Sequence, residues 1–123
     1  MIQAFHVYKQ YDRESSALSD VTLQVAKGEF CFLTGASGAG KTTFLKLVFR
    51  EELPTQGQIL VGGRNVTAIP DGQIPELRRS IGVVFQDVNA RGTTVLVATH
   101  DREMIQRMGK RVITLDHGRV VAG

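Results

Sequence analysis

The chain has 123 residues, enough for one domain with a modest core. Hydrophobic residues make up 42% and charged residues 22%, which excludes a disordered or fibrous chain. The net charge is +3, but the basic residues are scattered and Arg78-Arg79 is the longest run, so no nucleic-acid partner is expected; a weakly basic soluble protein, or one working beside an acidic membrane surface, fits better.

In chain order, "IQAFHVY" and "VTLQVAKG" alternate as half-buried strands do, with the polar stretch "YDRESSALSD" expected to turn between them. "EFCFLTG" is a short apolar run closed by glycine, as in a buried central strand. It contains the one cysteine, Cys31, expected to be a core thiol in a reducing compartment. "KTTFLKLVFREEL" reads as a helix buried on most faces and stopped by Pro54. "GQILVGG" is a strand ending in a glycine turn, and "IPELRRSIG" a short helix with Pro75 in its first turn. "IGVVF" and "TTVLVAT" are strands, and "DREMIQRMG" is a helix opened by Asp101 and closed by Gly109. "RVITLDHGRVVAG" reads as a hairpin turning at Asp116-His117-Gly118. No apolar run approaches the roughly 18 residues of a membrane span, and "MIQAFHVYKQ" is not expected to be a signal peptide. The implied class is α/β.

The strongest chemical signal is "GASGAGKTT", Gly35 to Thr43, which fits glycine, four residues, then Gly-Lys-Thr between a strand and a helix. Gly35, Gly38 and Gly40 let the backbone curl, so that successive N–H groups, those of Ser37 and Ala39 among them, face phosphate oxygens. The helix beginning near Lys41 points its positive end at the same anion. Lys41 is placed to reach the β- and γ-phosphates and the Thr42 hydroxyl to ligate Mg²⁺, with Thr43 beside it. A bare glycine turn before a helix would explain the glycines but not the whole pattern. A phosphate-binding loop alone serves kinases, GTPases and transport ATPases. The Asn-Lys-x-Asp element of a GTPase is absent from the sequence.

Other stretches narrow the choice. "IGVVFQD" puts Gln86 after a strand, "VLVATHD" puts His100 after another, and Tyr11 lies 24 residues before Gly35. With "PTQGQILVGGRNVT" and "LRRSIGVVFQD", these resemble the ATP-binding-cassette (ABC) ATPases, over residues 1 to about 87 and about 91 to 123. The cell-division branch, which works with the membrane protein FtsX, is the most similar. The resemblance implies a P-loop NTPase core with a mostly parallel sheet and a small antiparallel β-subdomain, using ATP and Mg²⁺. Tyr11 then corresponds to the aromatic that stacks on adenine, with Tyr8 as competing candidate. Gln86 corresponds to the glutamine that touches Mg²⁺ and the attacking water, and His100 to the switch histidine at the γ-phosphate. His6 and His117 have no such setting and read as surface or turn residues. "LVGGR" (Leu60 to Arg64) superficially resembles the family's signature, but it precedes the glutamine and reads as a strand turn. Asp116 ends an apolar strand as a Mg²⁺ ligand could, yet the following His-Gly favours a hairpin.

"QDVNARG" raises the remaining question. Parallel neighbours need a crossover of a dozen or more residues. Here seven residues join two strands, where the family carries a helical subdomain, the signature, an acidic strand ending Asp-Glu, and a helix. The chain therefore reads as a single truncated domain, residues 1–123, with a seam at about 87–92. The missing strand predicts a vacant slot of about 9–10 Å between its neighbours. With the return along the sheet, the diagonal is roughly 20 Å, against a seven-residue reach of at most about 23–25 Å. Such a link either fills the slot as an irregular antiparallel segment or hands residues 93–123 to a second chain, and the swapped or otherwise self-associated form is favoured.

The resemblance places the protein in the cytoplasm, peripheral at the inner face of the membrane. It implies ATP hydrolysis through Lys41, Gln86 and His100, with turnover weakened by the lost acids and the FtsX groove largely deleted. Two other readings stay open: a nucleotide-binding module without turnover, and a small P-loop kinase.

Overall fold

The computed structural model describes residues 1–12, 16–36, 38–79, 81–83, 94–99 and 101–123. Ser37, Gln86, His100 and the seam at 87–92 lie outside the described residues.

Two sheets build the molecule. Strands β1 (Ile2–Gln10), β2 (Ser16–Val25), β4 (Gln56–Val61) and β5 (Arg64–Asn65) form an antiparallel sheet in the order β2-β1-β4-β5. Strands β3 (Phe30–Thr34), β6 (Ile81–Val83), β7 (Thr94–Ala98), β8 (Arg111–Asp116) and β9 (Arg119–Ala122) form the second, ordered β6-β7-β3-β8-β9. All its pairs are parallel except the terminal hairpin β8–β9. Helices α1 (Lys41–Val48), α2 (Ile74–Arg79) and α3 (Arg102–Met108) complete the fold. The expected α/β class, with a mostly parallel sheet and an antiparallel subdomain, is the observed one.

Strand periodicity distributes the core. On β3, Cys31 and Leu33 point into the main cluster with Ile2, Val7, Leu18, Phe44, Leu47, Ile59 and Ile113. Phe32 points the other way, to Val95 and Val97, where Met104 and Ile105 of α3 cover it. A strand covered on both faces reads as a continuous apolar run. The Cys31 thiol is fully buried, and burial pushes its pKa up to about 11, so it packs as a small apolar group.

Three expectations need correction. The polar stretch after Tyr11 is shorter as a turn than its composition suggested, because β2 already begins at Ser16. Leu18 is fully buried opposite Lys9, and a register shift and Asp20 at φ 50° absorb the mismatch. Helix α1 ends at Val48, well before Pro54. Arg50 turns left-handed (φ 62°); the Glu51 N–H then donates to the Lys46 carbonyl (2.8 Å) and the Arg50 N–H to Leu47 (3.1 Å), satisfying the last carbonyls in a Schellman motif.

The third correction concerns the seam. The vacant slot does not exist: β6 pairs directly and in parallel with β7, Ile81 opposite Thr94 and Val83 opposite Leu96. Closing the gap gives backbone groups of β6 and β7 their partners, which an open slot would have left bare. Val83 and Thr94 then lie one strand spacing apart and about two residues out of step, roughly 8 Å. The ten intervening positions reach that easily. The β6–β7 pairing thus takes the place of the vacant slot from which the exchange between chains was argued.

Phe44 is fully buried where α1 meets the main cluster. Phe44→Ala should cost about 3–5 kcal/mol of stability. Chemical denaturation checks this, and an unshifted midpoint would show that α1 does not seal the core.

Candidate phosphate-binding site

Strand β3 delivers the chain at Thr34 to a tight loop, and α1 leaves it at Lys41. Two glycines fit the loop to its surroundings. A Cβ on Gly35 (φ 149°) would collide with the Leu115 carbonyl oxygen. On Gly40 (φ 106°) it would lie 2.8 Å from Leu18 Cδ2 and 2.9 Å from the Ala17 carbonyl oxygen. The other side is open: nothing lies within 4 Å of a Cβ built on Gly38. A cavity of about 420 Å³ opens there, lined by Ala17, Gly38 and the Lys41–Thr43 turn, among others.

This cavity is built for an anion. Gly40 caps α1 and has no side chain to satisfy the first-turn N–H groups, and no acidic residue sits in that turn. The helix therefore turns its first-turn N–H groups, without a side-chain cap from Gly40, and its positive end toward the cavity. The Lys41 ammonium adds a full charge and donates to the Gly35 carbonyl at 2.6 Å, bridging the loop from end to start. The donor set fits phosphate. For Mg²⁺ the described residues offer the Thr42 hydroxyl at the cavity wall. No three His, Cys, Asp or Glu side chains cluster among them.

Tyr11, just past the end of β1, is half exposed, and its hydroxyl donates to Glu52 Oε2 at 2.5 Å. The Thr43 side chain acts on the same phenol, favouring its ionised form, which puts Tyr11 near the first turn of α1. Lys9 Nζ stands 5.2 Å from the ring centroid, held there by the Leu53 carbonyl at 2.8 Å. Tyr8 instead stays within β1, opposite Gln56. Glu52 and Lys9 had no motif to announce them. Glu52 comes to Tyr11 through the left-handed turn at Arg50, which periodicity alone does not reveal.

The lesser candidates among the described residues sit in turns, caps and exposed positions; Gln86 and His100 lie outside the described residues. His6 is exposed and pairs with Asp20 at 2.6 Å. His117 is exposed in the β8–β9 turn. "LVGGR" is the β4–β5 turn at Gly62-Gly63. Asp116 ends β8 opposite Arg119, with its carboxylate on His117 at 2.8 Å. Asp101 caps α3, accepting from the Met104 N–H at 3.1 Å.

The Tyr11 environment is testable. Its pKa is raised above 10, first by the hydrogen bond to Glu52 and then by burial, because ionisation would lose that bond and set two anions together. The raised value favours the neutral phenol in the fold, so this contribution is present below the unfolded pKa and lost as pH climbs through the folded one. Glu52→Gln should bring the midpoint down toward 10. Tyrosinate absorbance measures it, with Tyr11→Phe removing the signal to leave Tyr8; an unmoved midpoint would mean that Glu52 does not hold the hydroxyl.

Comparison with known proteins places the whole arrangement. The ABC transporter family model matches residues 18–120. The cell division ATP-binding protein FtsE of Bacillus subtilis (strain 168) is 47% identical over 87 residues, 71% of this chain and 38% of that protein. FtsE of Escherichia coli (strain K12) is 46% identical over 87 residues, 71% and 39% of the respective chains. The matched stretch thus spans under two fifths of the length of these relatives. In fold it superposes on the ATP-binding cassette MJ0796, in a dimeric post-hydrolysis state bound to ADP and Pi, with a TM-score of 0.83 at 19% identity. That alignment covers 99% of this chain and 97% of the other. A bacterial Atm1-family ABC exporter with ATP bound gives 0.84 at 17%, over 98% and 38%. The loop, its flanking strand and helix, and the family match over most of the chain agree: this chain belongs to the ABC transporter family of ATP-binding cassettes.

Proposed function

We propose that the chain is the nucleotide-binding part of an FtsE-like ATPase, cradling the phosphates of Mg-ATP or ADP in the loop from Gly35 to Thr43. The observation that carries this is the cavity at the start of α1, with uncapped N–H donors and Lys41 held on the loop's own carbonyl. An entering triphosphate gives Lys41 a better acceptor than Gly35, so the ammonium passes to the β- and γ-phosphate oxygens while loop and helix N–H groups take the rest. The Thr42 hydroxyl would ligate Mg²⁺, with Gln86 as its expected companion and His100 at the γ-phosphate. Tyr11 lies beside Thr43 and offers a ring face to adenine.

Binding and turnover separate in this reading. Cleavage needs a positioned base, typically worth about 10²–10⁴-fold, and a facing signature from a second copy. The sequence between "IGVVF" and "TTVLVAT" supplies neither, so this chain binds nucleotide and turns it over poorly. The dimeric cassette with a similar fold supports self-association. The names of the FtsE relatives support a role in cell division; FtsX as the membrane partner and the cytoplasmic face of the membrane as the site follow from the family resemblance. No helix among the described residues is long and apolar enough to cross a membrane.

Lys41→Ala removes a charge-assisted contact worth about 1.5–3 kcal/mol, roughly ten- to hundredfold in affinity. Titration with a fluorescent ATP analogue checks it, and equal affinities would overturn the phosphate-cradle reading. Phosphate release by the purified chain should fall well below about 1 s⁻¹. A rate at or above that level, abolished by Lys41→Ala, would mean that another carboxylate serves, with Asp101 and Asp116 the first to test.

A further inference from the structure

We infer that the β8–β9 turn is the seat that sets the shape of the phosphate-binding loop, with Gly118 as a positioning residue for nucleotide binding. This rests on the phosphate-cradle reading above. The turn and the loop are linked through the backbone. The Gly118 N–H donates to the Ala39 carbonyl inside the loop at 3.0 Å. The Gly118 carbonyl accepts from the Ser19 N–H at 2.8 Å, which fixes the turn to β2. At the other end of the loop, the Leu115 carbonyl lies directly under Gly35. One hairpin therefore supports the loop at both its start and its end.

The fit leaves no room. Gly118 has φ 78°, and a Cβ there would stand 2.5 Å from the Ala17 carbonyl oxygen and 3.1 Å from Leu18 Cα. Gly40 closes on the same Ala17 oxygen from the loop side, with its Cβ position 3.5 Å from Gly118 Cα. Ala17 also lines the cavity. A side chain at position 118 must push the turn away from β2, and the hydrogen bond from the Gly118 N–H carries that displacement into the loop at Ala39. Displacing that carbonyl re-aims the N–H groups beside it, which are the donors to a β-phosphate. Backbone misplacement on this scale is enough to lose binding without unfolding a protein.

Gly118→Ala is the test, with Gly63→Ala as control: Gly63 also has positive φ (80°), but nothing lies within 4 Å of its added Cβ. The readout is the affinity for fluorescent ADP against fluorescent AMP, because AMP lacks the phosphate that the loop grips. Gly118→Ala should lose about tenfold or more for ADP with AMP little changed, whereas Gly63→Ala should leave both alone. Equal losses for ADP and AMP, unchanged ADP affinity, or the same loss in Gly63→Ala would overturn the inference. A wild-type chain without preference for ADP over AMP would instead fail the phosphate-cradle reading itself. Should Gly118→Ala not fold, hydrogen exchange on the wild type decides: saturating ADP should slow exchange of the Gly118 amide, and an unchanged rate refutes the coupling.

Discussion

Everything near the site depends on the hydrogen-bond ladder along β3. This five-residue strand ends where the phosphate-binding loop begins, and both of its edges are occupied by strands from the C-terminal third of the chain. Phe30 to Leu33 pair with Val95 to Ala98 on one side, and Cys31 to Thr34 with Arg111 to Thr114 on the other. The Thr99 N–H extends the ladder to the Leu33 carbonyl at 3.0 Å. A buried strand with a bare edge would leave several peptide groups without partners, each costing more than a typical bond contributes. The loop therefore cannot hold its shape until residues more than 60 positions away have docked. Arg111 strengthens that docking by reaching Glu29 at 2.9 Å and the Gln24 carbonyl at 2.6 Å, just ahead of β3.

The same ladder explains what happens at the seam. A sheet that lacks a strand can leave a gap, fill it with irregular chain, or close. Parallel strands tolerate closure because one spacing and one pattern of evenly slanted bonds serve any two neighbours. Among the described residues β6 covers Ile81–Val83, and each of them finds its partner on β7. Keeping the strands at their ancestral separation would preserve a gap that the pairing of β6 with β7 closes.

Local chemistry was legible in the sequence; long-range geometry was not. "GASGAGKTT" announced the cradle because its glycines, lysine and threonine each answer one physical demand. The hairpin at Asp116-His117-Gly118 was legible as a turn, yet its role beneath the loop was not, since nothing in "DHG" shows that Gly118 meets Ala17 and Ala39. Helix α1 was read too long because Phe49 and Leu53 continue the apolar pattern, whereas the chain stops the helix through Arg50, a residue seldom left-handed. Tyr11 stood out through the family resemblance, from its place 24 residues before Gly35. Its anchor Glu52 was hidden by that same misplaced helix end.

The cradle is compact in space and scattered in sequence. Its parts are Ala17 on β2, the loop and first turn from Gly35 to Thr43, and the turn from Leu115 to Gly118. All lie on either side of the seam, so a join at 87–92 leaves the anion site whole. Cleavage of a phosphoryl bond asks for more than an anion site, because charge must be balanced on the leaving and the attacking side together. The attacking side is where the family resemblance places Gln86, His100 and the acids of the missing strand. On the proposed reading, an internal loss at this point would separate two properties that a full cassette combines: it leaves the loop from Gly35 to Thr43 in place, with Gln86 and His100 still in the chain, and takes away the acids that would activate water.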